Sequence, residues 1–380
     1  MQNRKIAYIS GGRMDFGLML STLKKIESSP ELTIKIYYTG LHLLKDFGNT
    51  YKDVIQKFPK AIKINETYKN NDRSSTAVFI GGFINKLTKE FIKYKPDIVL
   101  TLGDRAEMLG TAITSLYLGI PSFHIHGGDV TGHVDEVVRH AITKLSHIHL
   151  VATIDAAVRI KKMGEDNFRI FTVGAPGIDE IVETKIMEKE ILLKTINLKN
   201  NSKYILLLQH PVFNENSSLH MQNIIQAVKQ FELPVVVIYP NADHGGRDII
   251  DIINKEKNNS RFIILSNVSR NKFLALQKYA EVWVTNSSAG IIESSSFHTP
   301  VVNVGTRQKS RLKPENVIDV NYSVKQIKKA IIKSIKDVKY RSRLKQISNP
   351  WGDGTTGEKI VNIIKKIPLD GFLLNKQITY

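Results

Sequence analysis

Short apolar runs alternate with helix-like segments along most of the chain. In the first half, the runs Lys5–Ser10, Thr33–Tyr38 and Asp97–Leu102 each end in a polar or glycine-containing turn. This alternation predicts parallel strands joined by crossover helices, because parallel strands need connections of a dozen or more residues. In such sheets ligands bind outside the carboxyl ends of the strands. We therefore expect the functional residues in the loops that follow the runs.

The second half of the chain repeats this organisation. Between about Gly174 and Lys203 a charged helical segment separates two α/β blocks. The best architecture for such a sequence is two Rossmann-like halves facing one another. The strands predicted beyond the boundary are Tyr204–Gln209, Pro234–Tyr239, Phe262–Leu265, Val282–Thr285 and Val301–Val304.

The composition excludes several classes of protein. The chain has 380 residues and no cysteine, so disulfide frameworks, cysteine-ligated metals and thiol catalysis are excluded. No stretch approaches the roughly 18 apolar residues of a membrane span, and the N-terminal run is too short for a signal peptide. The composition leaves a cytosolic enzyme or a nucleic-acid-binding protein, and the net charge of +18 alone does not choose between them.

Half of the excess charge lies in one stretch, Lys309–Gln346. It carries twelve Lys and Arg against three Asp and Glu, and Ile327, Ile331 and Ile335 recur every four residues. This spacing predicts an amphipathic helix with a basic, solvated outer face. Few aromatic residues lie among the lysines, and no nucleic-acid-binding motif is present, so nucleic acid is not the expected partner.

Two loops in the first half carry candidate functional residues. The loop Ser10–Gly17 has small residues that let a backbone approach a ligand, and the next helix offers N–H groups to an anion. It matches neither the GxGxxG nor the Walker pattern, so a simple tight turn is an equal alternative. Asp104 and Arg105 lie in the segment Gly103–Glu107, which directly follows the run Asp97–Leu102. The alternative for Asp104 is a cap on the next helix.

The densest group of ionisable residues runs from His124 to Lys144. We expect His124 and His126 on one face of a strand, with Asp135 and Arg139 one turn apart on the following helix. A zinc site is one interpretation and a surface ion pair between Asp135 and Arg139 is another. So many ionisable groups after a strand and a Gly-Gly bend favour a catalytic cleft.

The second half offers anion-binding candidates in three loops. His210 ends an apolar run, Asn241 follows another, and Thr285–Gly290 is a hydroxyl-rich turn that opens a helix. Such a turn suits a phosphate; the alternative is that Ser287 and Ser288 form a simple helix N-cap and bind no ligand. Glu293 could accept hydrogen bonds from two ribose hydroxyls, and Arg307 could supply a further positive charge for the anion. No GxSxG elbow is present, which argues against a serine hydrolase.

Taken together, these motifs resemble the hydrolysing UDP-N-acetylglucosamine 2-epimerases of sialic-acid-type biosynthesis. The segments that carry the resemblance are SGGRMDFG, LGDRAE, HIHGGDVTGHVDEVVRHAITKLSH, QHPV, YPNAD, NSSAGIIE, VNVGTRQKSR and NPWGDGTTGEK. The resemblance implies an α/β fold of two Rossmann-like domains facing a central cleft, as in GT-B glycosyltransferases. The implied N-terminal domain covers 1–175 and includes a crossing segment of about 351–380, and the nucleotide-binding domain covers 176–350.

The resemblance also implies an activity. Such enzymes convert UDP-N-acetylglucosamine and water to N-acetylmannosamine and UDP by elimination through a 2-acetamidoglucal, with no metal or other cofactor. Three alternatives stay open: a hydrolysing epimerase of UDP-2,4-diacetamido-2,4,6-trideoxyglucose, a non-hydrolysing UDP-N-acetylglucosamine 2-epimerase, and a GT-B glycosyltransferase. The expected partner is the UDP-sugar, with no nucleic acid or membrane, in a cytoplasmic homo-oligomer, dimer or tetramer.

The family's functional positions transfer to residues of this sequence. The catalytic group comprises Asp104, His126, Asp135 and His210. The substrate-binding group comprises Arg13, Gly17, Arg105, Asp129, Arg139, Asn241, Ser287, Ser288, Glu293 and Arg307.

Two positions depart from the family pattern. His126 stands where several relatives have a glutamate, and Asp129 stands where a glutamate usually follows the two glycines. A histidine can carry acid–base chemistry near neutral pH, so activity remains expected. The departure leaves the substituents at C4 and C6 of the sugar open.

Overall fold

The computed structural model describes residues 3–45, 48–70, 72–130, 134–212, 214–240 and 245–379, without the side chains of Arg73, Val134 and Asp135. The chain divides into two compact units. Unit 1 comprises Met1–Val182 and Trp351–Tyr380, and unit 2 comprises Glu183–Pro350.

Unit 1 is built around a parallel sheet, which has seven strands within the described residues. They are β1 (Arg4–Ser10), β2 (Leu32–Tyr38), β3 (Ile62–Lys63), β4 (Ile98–Leu102), β5 (Ser122–Ile125), β6 (Ile148–Val151) and β7 (Ile170–Thr172). The strand order is β3-β2-β1-β4-β5-β6-β7. The chain therefore proceeds in one direction from β1 to β3 and in the other from β4 to β7. This reversal places a topological switch point between β1 and β4, where ligands of such sheets bind.

Helices join the strands of unit 1 and cover both faces of the sheet with apolar side chains. Ile6, Tyr8 and Leu100 belong to the core on one face, and Ala7 and Val99 to the core on the other. Burial on both faces explains why these strands read as nearly continuous apolar runs. The helices are α1 (Arg13–Glu27), α2 (Tyr51–Lys57), α3 (Arg73–Tyr94), α4 (Ala106–Tyr117), α5 (Val134–Leu145), α6 (Ile154–Lys162) and α7 (Pro176–Glu183).

Unit 2 repeats the architecture with a six-stranded parallel sheet in its described part. Its strands are β8 (Ile205–Leu208), β9 (Val235–Ile238), β10 (Phe262–Leu265), β11 (Val282–Thr285), β12 (Val301–Val304) and β13 (Val317–Val320), in the order β10-β9-β8-β11-β12-β13. Here the switch point lies between β8 and β11. The two parallel α/β sheets confirm the fold class predicted from the sequence.

The helices of unit 2 include the predicted basic helix. Ile327 and Ile331 are buried in α13, while Lys325, Lys329 and Lys333 on the same helix are exposed. The helices are α8 (Lys189–Thr195), α9 (Ser217–Val228), α10 (Gly246–Asn254), α11 (Arg270–Tyr279), α12 (Ser288–Ile292), α13 (Val324–Lys336) and α14 (Val338–Leu344). No helix in the described part of the chain is long and apolar enough to cross a membrane.

The C-terminal segment returns to unit 1 through a close backbone approach. The carbonyl of Trp351 accepts the N–H of Ala175 at 2.6 Å. A Cβ on Gly174, whose φ is 95°, would lie 2.8 Å from the Thr356 hydroxyl, so this position needs glycine. The carboxylate of Asp179 then accepts the N–H groups that open the next helix. The last two helices are α15 (Thr356–Lys366) and α16 (Gly371–Leu374).

Candidate active site

In both units the predicted functional residues gather at the carboxyl ends of strands beside a switch point. In unit 1 the loops after β1 and β4 carry Gly11–Gly12 and Gly103–Arg105, and His126 follows β5. In unit 2 the loop after β8 carries His210, and the loop after β11 carries Ser287. Parallel α/β sheets present their ligand-binding loops at these points, because neighbouring connections there run to opposite faces.

The loop after β1 is held by a buried carboxylate. Asp15, in the first turn of α1, accepts hydrogen bonds from Gly12 N at 2.7 Å, Gly11 N at 3.2 Å and Ser10 Oγ at 2.7 Å. Burial raises the pKa of Asp15 to about 6, against the opposing effect of Arg105. The loop conformation is therefore set from within α1. Arg13, the first residue of α1, is exposed, and the next turn holds Gly17, where an added Cβ would meet open space.

A second buried carboxylate forms the wall behind this loop. Glu107 is fully buried and accepts hydrogen bonds from Tyr68 Oη at 2.9 Å and Arg105 Nε at 3.2 Å. A Cβ added to Gly11 or Gly40 would lie 2.4 Å or 2.3 Å from the Glu107 carboxyl group. These two glycines are required because backbone packs directly against the carboxylate. Arg105 is thereby oriented beside the loop that begins at Gly11.

The centre of the unit 1 site is an arginine shared by two aspartates. Arg139 in α5 is only 6% exposed; its Nη2 donates to Asp104 Oδ2 and its Nη1 lies 3.4 Å from Asp129 Oδ2. The residue that caps α4 is Arg105, so the alternative role of Asp104 as that cap is wrong. The burial of Arg139 likewise argues against a simple surface pair. The predicted residues Asp104, Asp129 and Arg139 lie together.

His126 contacts the same group of charged residues, through Asp129. Its Nδ1 is 3.2 Å from Asp129 Oδ2, and its ring stacks on Trp351 with centroids 6.1 Å apart. β5 ends at Ile125 and His126 has a φ of 61°, so the expected placement of His124 and His126 on one strand face is wrong. The left-handed backbone turns the ring toward Asp129 instead. The side chain of Asp135, in the first turn of α5, lies outside the described residues.

His124 has a structural role in place of metal ligation. Its Nε2 lies 2.7 Å from Gly103 O, and its Nδ1 lies 3.1 Å from Thr143 Oγ1. A carbonyl can only accept, so Nε2 carries the proton and Nδ1 accepts from the threonine hydroxyl. Burial lowers the pKa of His124 to about 3, which keeps the ring neutral. Both nitrogens are used within the protein, and the described residues contain no group of three metal-ligating side chains.

In unit 2 a buried asparagine holds the backbone of His210. Asn286 Oδ1 accepts His210 N at 2.7 Å, and Asn286 Nδ2 donates to His210 O at 2.8 Å. Asn286 is fully buried, so this paired arrangement resembles one rung of a β-ladder made by a side chain. The carbonyl of Asn286 also accepts from Arg307 Nη1 at 3.3 Å. One residue thereby connects the predicted residues His210 and Arg307.

The two serines of the same loop, Ser287 and Ser288, have different places at the start of α12. Ser287 is the N-cap of α12, and its hydroxyl accepts the N–H of Ala289 at 3.3 Å. The structural alternative for Ser287 is therefore correct, although a capping hydroxyl can also face a ligand. Ser288 is the first residue of α12 and is only partly buried. Asn241, the other predicted anion-binding candidate of unit 2, lies outside the described residues.

Glu293 is oriented by two residues of α11. Its carboxylate accepts from Arg270 Nη1 at 3.0 and 3.1 Å and from Gln277 Nε2 at 2.9 Å. Glu293 is only 7% exposed, so these partners fix its side chain. A carboxylate has about four acceptor sites, which leaves capacity for a ribose hydroxyl.

Sequence reasoning missed the residues that hold the functional groups in place. Asn286 opens the segment NSSAGIIE but was assigned no role there, and Arg270 and Gln277 lie in none of the motifs. Glu107 is part of LGDRAE, but its burial between two glycines is a tertiary feature. The available signal was indirect: Asn286 is a polar residue placed directly after a buried strand.

Comparison with known proteins identifies the relationships of the whole chain. A family model described as UDP-N-acetylglucosamine 2-epimerase matches residues 24–365. A Legionella pneumophila protein named UDP-N,N'-diacetylbacillosamine 2-epimerase (hydrolyzing) is 39% identical over 376 residues, which cover 98% of each chain. A Campylobacter jejuni protein named GDP/UDP-N,N'-diacetylbacillosamine 2-epimerase (hydrolyzing) is 32% identical, covering 84% of this chain and 85% of that one.

Solved structures share the fold. The crystal structure of UDP-GlcNAc 2-epimerase from Neisseria meningitidis bound to UDP-GlcNAc superposes with a TM-score of 0.82, covering 96% of this chain and all of that one. The sequence identity across this superposition is 21%. At that level the likeness establishes the two-sheet α/β architecture.

Proposed function

The chain belongs to the UDP-N-acetylglucosamine 2-epimerase family, and we propose that it is a hydrolysing 2-epimerase of UDP-N,N'-diacetylbacillosamine. This sugar is a UDP-2,4-diacetamido-2,4,6-trideoxyglucose, the alternative substrate in the sequence analysis. The observation that carries the proposal is the 39% identity to a relative of that name over 98% of both chains. The second relative carries the same sugar in its name. UDP-N-acetylglucosamine, the first expectation, becomes the substrate to be compared.

The proposed reaction begins with an elimination. The C1–O bond to UDP breaks, a base removes the proton at C2, and a 2-acetamidoglucal with a C1–C2 double bond remains. The C2 proton is weakly acidic, so breakage of the C1–O bond runs ahead and leaves positive character on the sugar. Asp104 and Asp135 are the carboxylates assigned to that carbon. Arg139 orients Asp104 through the hydrogen bond in the structure.

The second half-reaction adds water to the glycal. The water oxygen bonds to C1, and a proton returns to C2 on the opposite face, which inverts that centre. The overall reaction converts the UDP-sugar and water to UDP and a 2,4-diacetamido-2,4,6-trideoxymannose. Elimination of UDP and addition of water leave the net oxidation state of the sugar unchanged, so the route needs no redox cofactor. His126, held by Asp129 at 3.2 Å, is the group assigned to this proton transfer.

The residues of unit 2 are assigned to the leaving group. Cationic and N–H groups stabilise the charge that develops on a departing diphosphate. His210 and Arg307 supply such groups, and Asn286 contacts the backbone of the first and the side chain of the second. Glu293 is assigned to the ribose. Arg105, Arg13 and Gly17 of unit 1 remain the proposed contacts of the sugar diphosphate.

The deciding experiment compares two substrates with the purified protein. UDP release and the free sugar are measured with UDP-N,N'-diacetylbacillosamine and with UDP-N-acetylglucosamine, and we expect kcat/KM at least about tenfold higher for the former, a difference of about 1.4 kcal/mol. In D2O, deuterium should appear at C2 of the product. Preferential use of UDP-N-acetylglucosamine would overturn the substrate assignment. Release of a UDP-linked epimer without free UDP would identify a non-hydrolysing enzyme.

A further inference from the structure

Lys376, in the C-terminal segment, is docked on the end of helix α5. Lys376 Nζ donates to Ser146 O at 2.7 Å, Lys144 O at 2.8 Å and Thr143 O at 3.1 Å, and it lies 2.7 Å from Glu165 Oε2. The last carbonyls of a helix have no partner within the helix and carry partial negative charge. Lys376 thus caps α5 from a position 230 residues later than Ser146.

A chain of hydrogen bonds runs from this cap to the candidate active site. The Thr143 hydroxyl donates to His124 Nδ1 at 3.1 Å, and His124 Nε2–H donates to Gly103 O at 2.7 Å. Gly103 immediately precedes Asp104, which pairs with Arg139 one turn before Thr143 on α5. Asp104 is therefore attached to α5 by two routes, one through Arg139 and one through the hydrogen bonds of Thr143 and His124. Lys376 caps the same helix.

We propose that Lys376 is a positioning residue for the epimerase reaction, fixing α5 and, through Thr143 and His124, the turn that carries Asp104. The inference rests on the proposed function insofar as Asp104 and Arg139 are taken to act on the sugar. Lys376 itself touches no substrate in this assignment. The C-terminal segment thus affects the reaction indirectly, through the position of Asp104.

The charges around the ammonium group make this role pH-dependent. Glu165 faces Lys376 directly, and Lys144, His147, His149 and Arg169 surround the same carboxylate and cap. Burial lowers the pKa of Lys376 to about 8, although Glu165 opposes that shift. Above this pH the amine loses its charge and one donor, so the α5 carbonyls lose a partner.

Stability and activity should respond to this titration in opposite directions. The pKa of Lys376 is lower in the folded state than the ordinary 10.5. Between about 8 and 10.5 the unfolded chain binds the extra proton, so this group makes the folded state more stable as the pH rises. The loosened cap should lower kcat over the same range. A merely structural lysine would not produce that combination.

Three lysine variants test the role of Lys376. Lys376→Met should lower kcat by about tenfold with little change in KM, because small displacements of catalytic groups have large effects on rate. Lys376→Arg keeps a permanent charge, so its kcat should no longer decline with a midpoint near 8. The matched control is Lys366→Met, since Lys366 is exposed and lies ten residues earlier.

A double variant tests the hydrogen-bonded path. Thr143→Val removes the hydroxyl that reaches His124 but leaves the carbonyl that accepts from Lys376. If both residues act through Asp104, the Lys376→Met/Thr143→Val pair should lose less activity than the product of the two single losses. Independent, multiplicative losses would overturn the path.

Hydrogen exchange separates this inference from the proposed function. Amide exchange in α5 and at Asp104 should accelerate in Lys376→Met and stay unchanged in Lys366→Met, whether or not the protein turns over any UDP-sugar. Absence of turnover in the unmodified protein would refute the proposed function alone. Unchanged exchange, kcat and pH profile in Lys376→Met would overturn the positioning role. If Lys376→Met does not fold, the test passes to Lys376→Arg. A decline of its kcat with the same alkaline midpoint as in the unmodified protein would likewise overturn the positioning role.

Discussion

Arg139 of α5 joins carboxylate side chains from two separate loops. It donates to Asp104 after β4 and lies 3.4 Å from Asp129 beyond β5, while 6% of its own surface is exposed. Asp129 in turn holds His126. Buried charge pairs of this kind are weak sources of net stability, because desolvation offsets their attraction. Their value here is that they orient two carboxylates and a histidine.

We predict that Asp104→Asn lowers kcat by at least about 10²-fold, because the substitution removes a carboxylate assigned to the reacting carbon. UDP affinity, measured by calorimetry, should stay within about twofold. The matched control is Asp97→Asn. Asp97 lies just before β4, whereas Asp104 lies just after it, and the Asp97 carboxylate accepts the N–H of Lys5 at 2.7 Å. Equal kcat values in the two variants would contradict the assignment.

Asn286 gives a second prediction at the scale of single residues. In Asn286→Asp the donor to His210 O becomes an acceptor, so the two oxygens repel and the backbone of His210 shifts. We expect the free energy of unfolding to fall by about 1–3 kcal/mol and kcat to fall with it. Urea titration and steady-state UDP release measure the two effects.

The control for Asn286 is another buried amide in unit 2. Asn316 Nδ2 donates to Ser294 Oγ and Thr299 O at 2.7 and 2.6 Å, and neither acceptor belongs to a predicted functional residue. Asn316→Asp should cost similar stability but leave kcat close to that of the unmodified protein. A comparable loss of kcat in both variants would mean that the Asn286 effect is general destabilisation.

Some functional residues could be predicted from the sequence and others could not. Asp104 was predictable, because a charged residue directly after a buried strand lies where parallel sheets bind ligands. Asn286 occupies an equivalent position, yet its partner lies 76 residues away, and no local pattern records that distance. His126 was predicted as a functional residue but on the wrong face, because a left-handed φ at a histidine is not evident from sequence.

At the scale of elements, the strand-to-helix loops depend on carboxylates buried behind them. Glu107 of α4 supports the loop after β1, while Asp15 of α1 binds its N–H groups. Both carboxylates lie on helices that begin at the switch point of unit 1. The loop therefore has a defined shape before any ligand binds, which lowers the cost of ordering it.

Gly11→Ala should disrupt this arrangement. The new Cβ would lie 2.4 Å from the Glu107 carboxyl carbon. The backbone of Gly40 packs against the same carboxylate, so closely that a Cβ added there would lie 2.3 Å from Glu107 Oε1. Moving Glu107 would break its bonds to Tyr68 and Arg105. We expect a loss of about 1–3 kcal/mol in the free energy of unfolding and weaker UDP-sugar binding.

The matched substitution is Gly81→Ala in α3. Gly81 is exposed, and an added Cβ would meet no atom within 4 Å. Alanine in a helix interior is favoured over glycine by up to about 1 kcal/mol, so this variant should be slightly more stable. Chemical denaturation compares the pair. A neutral Gly11→Ala would show that Glu107 can move without consequence.

Elements differ in how clearly the sequence predicts them. The α13 helix follows from Ile327 and Ile331 at helical spacing, and both are buried. The edge strand β13 (Val317–Val320) escaped prediction, because it is only partly buried and contains Asp319 within a basic, helix-like stretch. Central strands are covered on both faces and read as continuous apolar runs, whereas an edge strand shows a weaker pattern.

At the scale of the whole molecule, the two units share an architecture but not their buried charges. Among the described residues of unit 1 four histidines are buried, namely His42, His124, His147 and His149. Burial lowers the pKa of His124 to about 3 and of the other three to about 4. In the described part of unit 2, His220 has a lowered pKa but is not fully buried.

This asymmetry predicts different acid sensitivity for the two units. Below pH 6.5 the unfolded chain protonates each of the four rings, whereas the folded unit 1 resists protonation until about pH 4. The free energy of unfolding therefore falls as the pH drops through this window. Asp15, whose pKa is raised to about 6, contributes the opposite sign and offsets part of the loss. The effect of the histidines exceeds this offset, because four rings oppose one carboxyl group.

The two tryptophans allow each unit to be followed separately in the unmodified chain. Trp351 is buried in unit 1 and Trp283 in unit 2, and the sequence has no others. With 5-fluorotryptophan, two fluorine resonances report the two units during urea unfolding, and Trp351→Phe assigns them. Between pH 7.5 and pH 5 the unfolding midpoint of the Trp351 signal should fall more than that of Trp283. Equal shifts would mean that the buried histidines do not set acid stability, because their effect is confined to the unit that contains them.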